Sequence, residues 1–252
     1  FSEYIRVMLE REGLDRNLIQ NREFPTAAVT VALPWQDERA LVSYIEPEQL
    51  PHYPTDILDH VPAQFLHICG MGTARHHLDL VRVARAARMT LSLDCACEEI
   101  DLWDPVSREI LGSVDYAMPN IDEALAMTGA RNIYKATKQL GELIATVVVK
   151  MGADGALAYS RGQWVDAPAL AIDPVDTTGA GDCFAAGFIL GLATGCSLET
   201  CLRYGNVAGG LSTLGAGISA APNLEQLQEK VTGGPWQSAE HLPAPCCEKP
   251  IS

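Results

Sequence analysis

From Gln64 to Tyr159 the chain alternates short runs of strand-forming residues with helical segments, and this alternation constrains the fold more than any other feature. Gln64–Cys69 (QFLHIC) reads as a short buried strand followed by Gly70 and Gly72. His76–Arg88 places Leu78, Val81 and Ala84 on one face and gathers arginines towards its end, the pattern of an amphipathic helix with a favourable dipole. Thr90–Asp94 (TLSLD), Val114–Met118, Thr146–Lys150 and Ala156–Tyr159 read as further strands, with helices over Asn120–Thr128 and Lys135–Ile144. A βαβα order implies a mostly parallel sheet with helices on both faces, because parallel strands need crossover connections that cover the sheet. In such sheets ligands sit at the C-terminal ends of the strands.

Before this region, Thr26–Leu33 and Ala40–Ile45 read as two strands joined by the polar turn PWQDER. Residues 1–232 are expected to form one main domain. Gly233–Ser252, rich in Pro, Gly and Cys, reads as a poorly ordered tail. At 252 residues the chain is long enough to bury a substantial core. Eight scattered cysteines lack zinc spacing, so reduced thiols in a cytoplasmic protein are expected. The pair His76-His77 lacks a third ligand at metal spacing. No apolar run is long enough to span a bilayer, and FSEYIRVMLEREG lacks the apolar block of a secretory signal. A net charge of −14 argues against nucleic acid as a partner, since such binding replaces counterions with Lys and Arg. It does not argue against a nucleotide, whose phosphates need only local N–H groups, a cation and one or two side chains.

The most informative stretch is Asp173–Gly195, DPVDTTGAGDCFAAGFILGLATG. Two threonines lead into Gly179-Ala180-Gly181, and a helix of small apolar residues is expected to begin at or near Asp182. Small residues let backbone approach a ligand, and a helix start presents N–H groups to an anion. The residues alone leave two readings open: an anion hole with a carboxylate beside it, or a tight strand-to-helix turn in which Asp182 is the N-cap.

The segment DTTGAGDCFAAGF resembles the second signature of the PfkB, or ribokinase-like, small-molecule kinases. The resemblance implies a three-layer α/β/α fold with a mostly parallel sheet and a small β lid of which residues 25–46 would form part. It also implies ATP-dependent transfer of the γ-phosphoryl group to a hydroxyl of a sugar or sugar-like substrate. Asp182 would be the general base, and Gly179, Ala180 and Gly181 would hold the transferring group.

Asn120-Ile121-Asp122-Glu123 is similar to the family's N-x-x-E motif, whose Asn and Glu place Mg²⁺ and phosphate through water. The same spacing is a helix capping box, and both can hold at once. VVVKMGADG, Val147–Gly155, resembles the strand and turn that carry the nucleotide, through Lys150, Gly152 and Gly155. Many relatives have a small hydroxyl residue where this chain has Lys150. That lysine either reaches phosphate as a point charge or is solvated at the strand end. Asn206, in RYGNVAGGLSTLGAG, matches an Asn beside the adenine, its alternative being a polar residue on a helical surface. Similarity to ribokinase also implies a K⁺ site built from Asp176, Thr178, Ser212, Gly215 and Ser219.

The resemblance departs from the family at the front. Complete members begin with a strand, an acidic substrate ligand and a Gly-Gly segment, whereas FSEYIRVMLEREGLD is similar to the helix that follows them. An N-terminal part of the fold is therefore expected to be missing from this sequence, and with it the residues that would name the acceptor. A nucleoside acceptor and a non-catalytic ligand-binding relative are the alternatives. Homodimerisation through the lid is a further implication of the family.

Overall fold

In a computed structural model of the chain, the structure describes residues 2–14, 28–35, 38–45, 55–60, 63–95, 102 and 104–233. The expected tail falls outside them. Two compact units divide at residues 52 and 53.

The first unit holds helix α1 (Ser2–Arg11) and strands β1 (Ala28–Trp35) and β2 (Glu38–Ile45). On α1 the Arg6 guanidinium bonds Glu3 and Glu10 at helical spacings. The strands form an antiparallel ribbon running from Ala28↔Ile45 to Trp35↔Glu38. This shortens the expected turn, since Pro34, Trp35, Glu38 and Arg39 are all in the ladder. Proline is tolerated in such a ribbon because each strand is an edge and only alternate N–H groups face the partner.

The second unit contains α2 (Ile57–His60), β3 (Phe65–Ile68), α3 (Met71–His76), α4 (Leu78–Ala86), β4 (Thr90–Leu93), α5 (Pro105–Ser113), β5 (Tyr116–Ala117), α6 (Ile121–Thr128) and α7 (Ile133–Leu140). It continues through β6 (Thr146–Lys150), β7 (Ala156–Ser160), β8 (Gln163–Ala167), α8 (Ala180–Ala193), α9 (Leu198–Ser212) and α10 (Leu224–Gly233). Its six strands lie in the order β3-β4-β5-β6-β7-β8. Neighbours are parallel from β3 to β6, and antiparallel where β7 and β8 continue the sheet.

Alternation along the strands sorts side chains into two layers. Leu91, Leu93, Val147, Val149 and Leu157 face a core built with α3 to α7, through Met71, Val81, Ile110, Ala124 and Leu140 among others. Met118, Val148, Ala156 and Ala158 face the opposite core, against Phe184, Phe188 and Leu202 of α8 and α9. This is the expected α/β/α sandwich. The small residues of α8 and α9 do part of their work here rather than at a ligand: a Cβ on Gly187 would lie 2.4 Å from the Tyr204 carbonyl oxygen. The two helices touch backbone to backbone.

Several boundaries differ from expectation. The helix expected over His76–Arg88 starts earlier, at Met71, and breaks at the buried His77, which closes α3 and opens α4. The strand expected over Val114–Met118 narrows to Tyr116–Ala117, though the Asp115 and Met118 N–H groups still donate to the Leu91 and Leu93 carbonyls, because Val114 caps α5 and α6 follows at Ile121. α7 covers Ile133–Leu140 and stops short of Ile144, its start set by Asn132, whose side chain accepts from the N–H groups of Tyr134 and Lys135. The helix over α5 and the β7–β8 hairpin were legible but unread: Asp104-Pro105 is a cap followed by an N1 proline, and Arg161-Gly162 is a two-residue turn.

Candidate active site

Part of the candidate set, Gly179–Asp182 with Lys150, Asn120 and Glu123, gathers where β4, β5 and β6 end, around the start of α8. That helix begins at Ala180, two residues before the expected position, so Asp182 is its third residue and Gly179 its N-cap. Gly179 adopts the left-handed conformation (φ 78°), which favours glycine, and a Cβ there would meet the Ile218 side chain at 2.5 Å. No side chain caps the helix. The Ala180 N–H donates to the Thr177 carbonyl and the Cys183 N–H to that of Gly179, while those of Gly181 and Asp182 have no backbone acceptor among the described residues. An uncapped helix start of this kind fits an anion. The alternative in which Asp182 is an N-cap is overturned by its position inside the first turn.

β6 ends beside this turn. Lys150 is neither solvated nor directed away: its Nζ donates to both carboxylate oxygens of Asp94, each at 2.8 Å, with side-chain exposures of 15% and 9%. A Cβ added to Gly181 would lie 3.3 Å from that same Nζ. The ammonium therefore rests against the glycine loop. On the neighbouring strand ends, His67 Nδ1 lies 2.9 Å from Ser92 Oγ. Burial holds the His67 imidazole below its ordinary range, with Lys150 adding to the effect and Asp94 and Asp182 opposing it. Burial, then Asp182 and Asp94, pushes the Cys69 thiol up. These influences put Asp182, Asp94, Lys150, His67 and Cys69 in one electrostatic neighbourhood. Asp94, His67 and Cys69 enter this neighbourhood without having been singled out in the sequence, though polar residues ending strands at the C-terminal edge were the signal.

Asn120 and Glu123 form the capping box of α6. The Glu123 N–H donates to Asn120 Oδ1 and the Asn120 N–H to Glu123 Oε2, both at 2.8 Å. An isolated bridge pairs Asn120 with Lys150, which fixes the box beside the end of β6. The box does not exclude metal binding, since a carboxylate offers about four lone-pair positions. Its oxygen chemistry suits Mg²⁺ held through water.

The remaining positions separate into two groups. Gly152 opens a single 3₁₀ turn, and Gly155 ends it. Asn206 is buried rather than on a helical surface, and its amide donates to the Ala167 and Pro168 carbonyls at 2.9 Å each. It ties α9 to the end of β8. Asn206→Ala would strand two carbonyls, so a loss of about 2–4 kcal/mol is expected in denaturant unfolding. Unchanged stability with weakened nucleotide binding would instead make Asn206 chiefly a ligand contact.

In the second group, Asp176 Oδ1 accepts from the Thr178 N–H (2.9 Å) and hydroxyl (2.7 Å), and Oδ2 from the Gly217 N–H (2.7 Å). Asp176 thus joins the loop before α8 to the loop after α9. Ser219 Oγ lies 2.6 Å from where a Gly215 Cβ would be, which brings those two together. Ser212 is turned into its own helix, donating to the Gly209 carbonyl at 2.8 Å. No group of three or more His, Cys, Asp and Glu suited to a metal occurs among the described residues.

The fold is that of the ribokinase-like proteins. The structure matches Arabidopsis thaliana ribokinase complexed with ribose and ATP at a TM-score of 0.68 and 20% identity, over 82% of this chain and 70% of that one. Residues 1–225 match the family described as pfkB family carbohydrate kinase, and the chain belongs to that family. Among individual relatives, a cytidine kinase of Thermococcus kodakarensis is 35% identical over 152 residues, covering 58% of this chain and 54% of that protein. A fructokinase of Vibrio alginolyticus is 24% identical over 248 residues, covering 90% and 80%. The chain spans about half the length of the first two curated relatives it matches.

Proposed function

We propose that this protein is an ATP-dependent phosphotransferase that moves the γ-phosphoryl group onto a hydroxyl of a sugar or sugar-like small molecule. The observation that carries the reading is the uncapped start of α8, with Asp182 in its first turn, at the C-terminal edge of the parallel strands. The N–H groups of the Gly179–Gly181 loop would receive the transferring phosphoryl oxygens. Asp182 would accept the proton of the attacking hydroxyl as its oxygen bonds to phosphorus. Glu123 and Asn120 would hold magnesium through water, and that ion supplies charge neutralisation between the leaving and transferred phosphates. Gly152, Gly155 and Asn206 would border the nucleotide. Asp176, Thr178, Ser212, Gly215 and Ser219 would form the K⁺ site, with Ser212 contributing only after its hydroxyl turns from Gly209.

A nucleoside acceptor is a second reading, favoured by the identity with the cytidine kinase. Non-catalytic binding is disfavoured, because a binding module has no use for a carboxylate beside a phosphate cradle. A cytoplasmic setting accords with the five described cysteines, which are all free thiols. Among the described residues no helix is long and apolar enough to cross a membrane. A small-molecule acceptor rather than nucleic acid and a homodimer through the β1–β2 hairpins complete the reading.

The test is ADP release by the full-length protein over sugars, sugar acids, sugar phosphates and nucleosides, with magnesium varied. Turnover with at least one acceptor is expected, and none with any would count decisively against a kinase. In the same assay Glu123→Gln should raise the magnesium requirement while keeping the melting temperature, because Gln also completes a capping box. Lost stability with unchanged magnesium dependence would reduce Glu123 to a cap.

A further inference from the structure

Asp94 has no role in the mechanism above, yet it is buried at the end of β4 and spends both carboxylate oxygens on Lys150. An ammonium has three N–H groups, and this pairing engages two of them. The third belongs to an atom already packed against Gly181, in the loop whose N–H groups face the anion position. We infer that Asp94 is a positioning residue, holding the Lys150 ammonium so that its remaining N–H meets the terminal phosphate of a bound nucleoside triphosphate.

The inference rests on the kinase reading, and it adds a residue and a specificity to it. A lysine on a four-carbon stem samples many rotamers, and ordering it only when ligand arrives would cost entropy at each binding event. Asp94 meets that cost during folding. The pair is shielded enough from water for its ammonium end, the end beside Gly181, to act as a directed donor on a nearby phosphate. The carboxylates of Glu123 and Asp182 belong to the same candidate site, so a phosphate approaching it gains from an ammonium N–H already held in a fixed direction. The position beside Gly181 makes that donor selective: it serves the last phosphate, held at the helix start, more than those nearer the nucleoside.

The experiment is calorimetric titration of the full-length protein with ATP, ADP and AMP in magnesium buffer, read as the ratio of ATP to ADP affinity. Lys150→Met and Asp94→Asn should each lower that ratio about ten- to a hundredfold, the worth of one charge-assisted hydrogen bond, with AMP affinity unchanged. Asp94→Glu should keep much of the ratio. Removing one partner of a shielded pair can destabilise the fold, so the deciding variant is the double substitution Asp94→Asn/Lys150→Met. It should regain the melting temperature lost by the single variants without regaining the ratio. A double variant with the wild-type ratio would make the pair structural and overturn the inference. So would single variants that weaken ATP and ADP in parallel, or that leave both intact. A wild-type protein that binds no adenine nucleotide would fail at the kinase reading itself, before any variant is compared, and would take the inference down with it.

Discussion

Asp182→Asn is expected to fold, to bind ATP as the wild type does, and to lose at least about a hundredfold in kcat. Asp182 occupies the third position of α8, where a carboxylate helps the helix dipole by only about 0.3–1 kcal/mol. The turn itself is set by Gly179 and by the Asp176–Thr178 bonds, none of which involves the Asp182 side chain. Replacing carboxylate by amide keeps the shape and removes the basic oxygen. A general base typically contributes about 10²- to 10⁴-fold in rate, far more than the dipole could account for. Steady-state kinetics with an accepted acceptor, beside calorimetry with ATP, separates the two effects. A well-folded Asp182→Asn variant with wild-type turnover would remove Asp182 from the role of base.

Gly155→Ala is expected to destabilise the protein by at least about 3 kcal/mol, and in the extreme to prevent folding. Gly155 has φ 90° and ψ −133°, a region essentially closed to residues with a Cβ. The added methyl would also stand 2.2 Å from the Ala167 carbonyl oxygen and 2.7 Å from the Ala169 nitrogen. Neither obstacle is a flexible side-chain end. Ala167 is also a carbonyl that Asn206 holds, so relief of the clash would pull β8 away from α9. Equilibrium unfolding in denaturant measures the loss. A Gly155→Ala protein of normal stability with weakened ATP binding would instead place this glycine chiefly at the nucleotide.

The layered architecture follows from pattern alone, because strand and helix periods leave different imprints. Val147, Val148 and Val149 in succession announce a strand buried on both faces, and that is where β6 lies, between the two cores. The start of α8 was legible for a similar reason: two glycines flanking Ala180 before a run of small apolar residues mark a turn into a helix. Asn120 and Glu123 carried their cap in their spacing. These are local properties, fixed within a turn or two of chain.

What the tertiary structure decided depends on residues far apart in sequence. Lys150 could have been solvated at its strand end or aimed at phosphate, and nothing within its own segment chose between them. What the fold supplies is Asp94, 56 residues earlier, brought alongside because β4 and β6 end at the same edge of the sheet, so that the ammonium is ion-paired rather than solvated. Asn206 looked equally suited to a helix surface, until the end of β8 supplied two carbonyls for its amide. Small residues in α8 could have admitted a ligand or a helix, and Gly187 against Tyr204 shows that part of the stripe admits α9. Periodicity and turn chemistry are written into neighbouring residues, whereas the partner of a charge or a buried amide exists only once the chain has closed distant strands together.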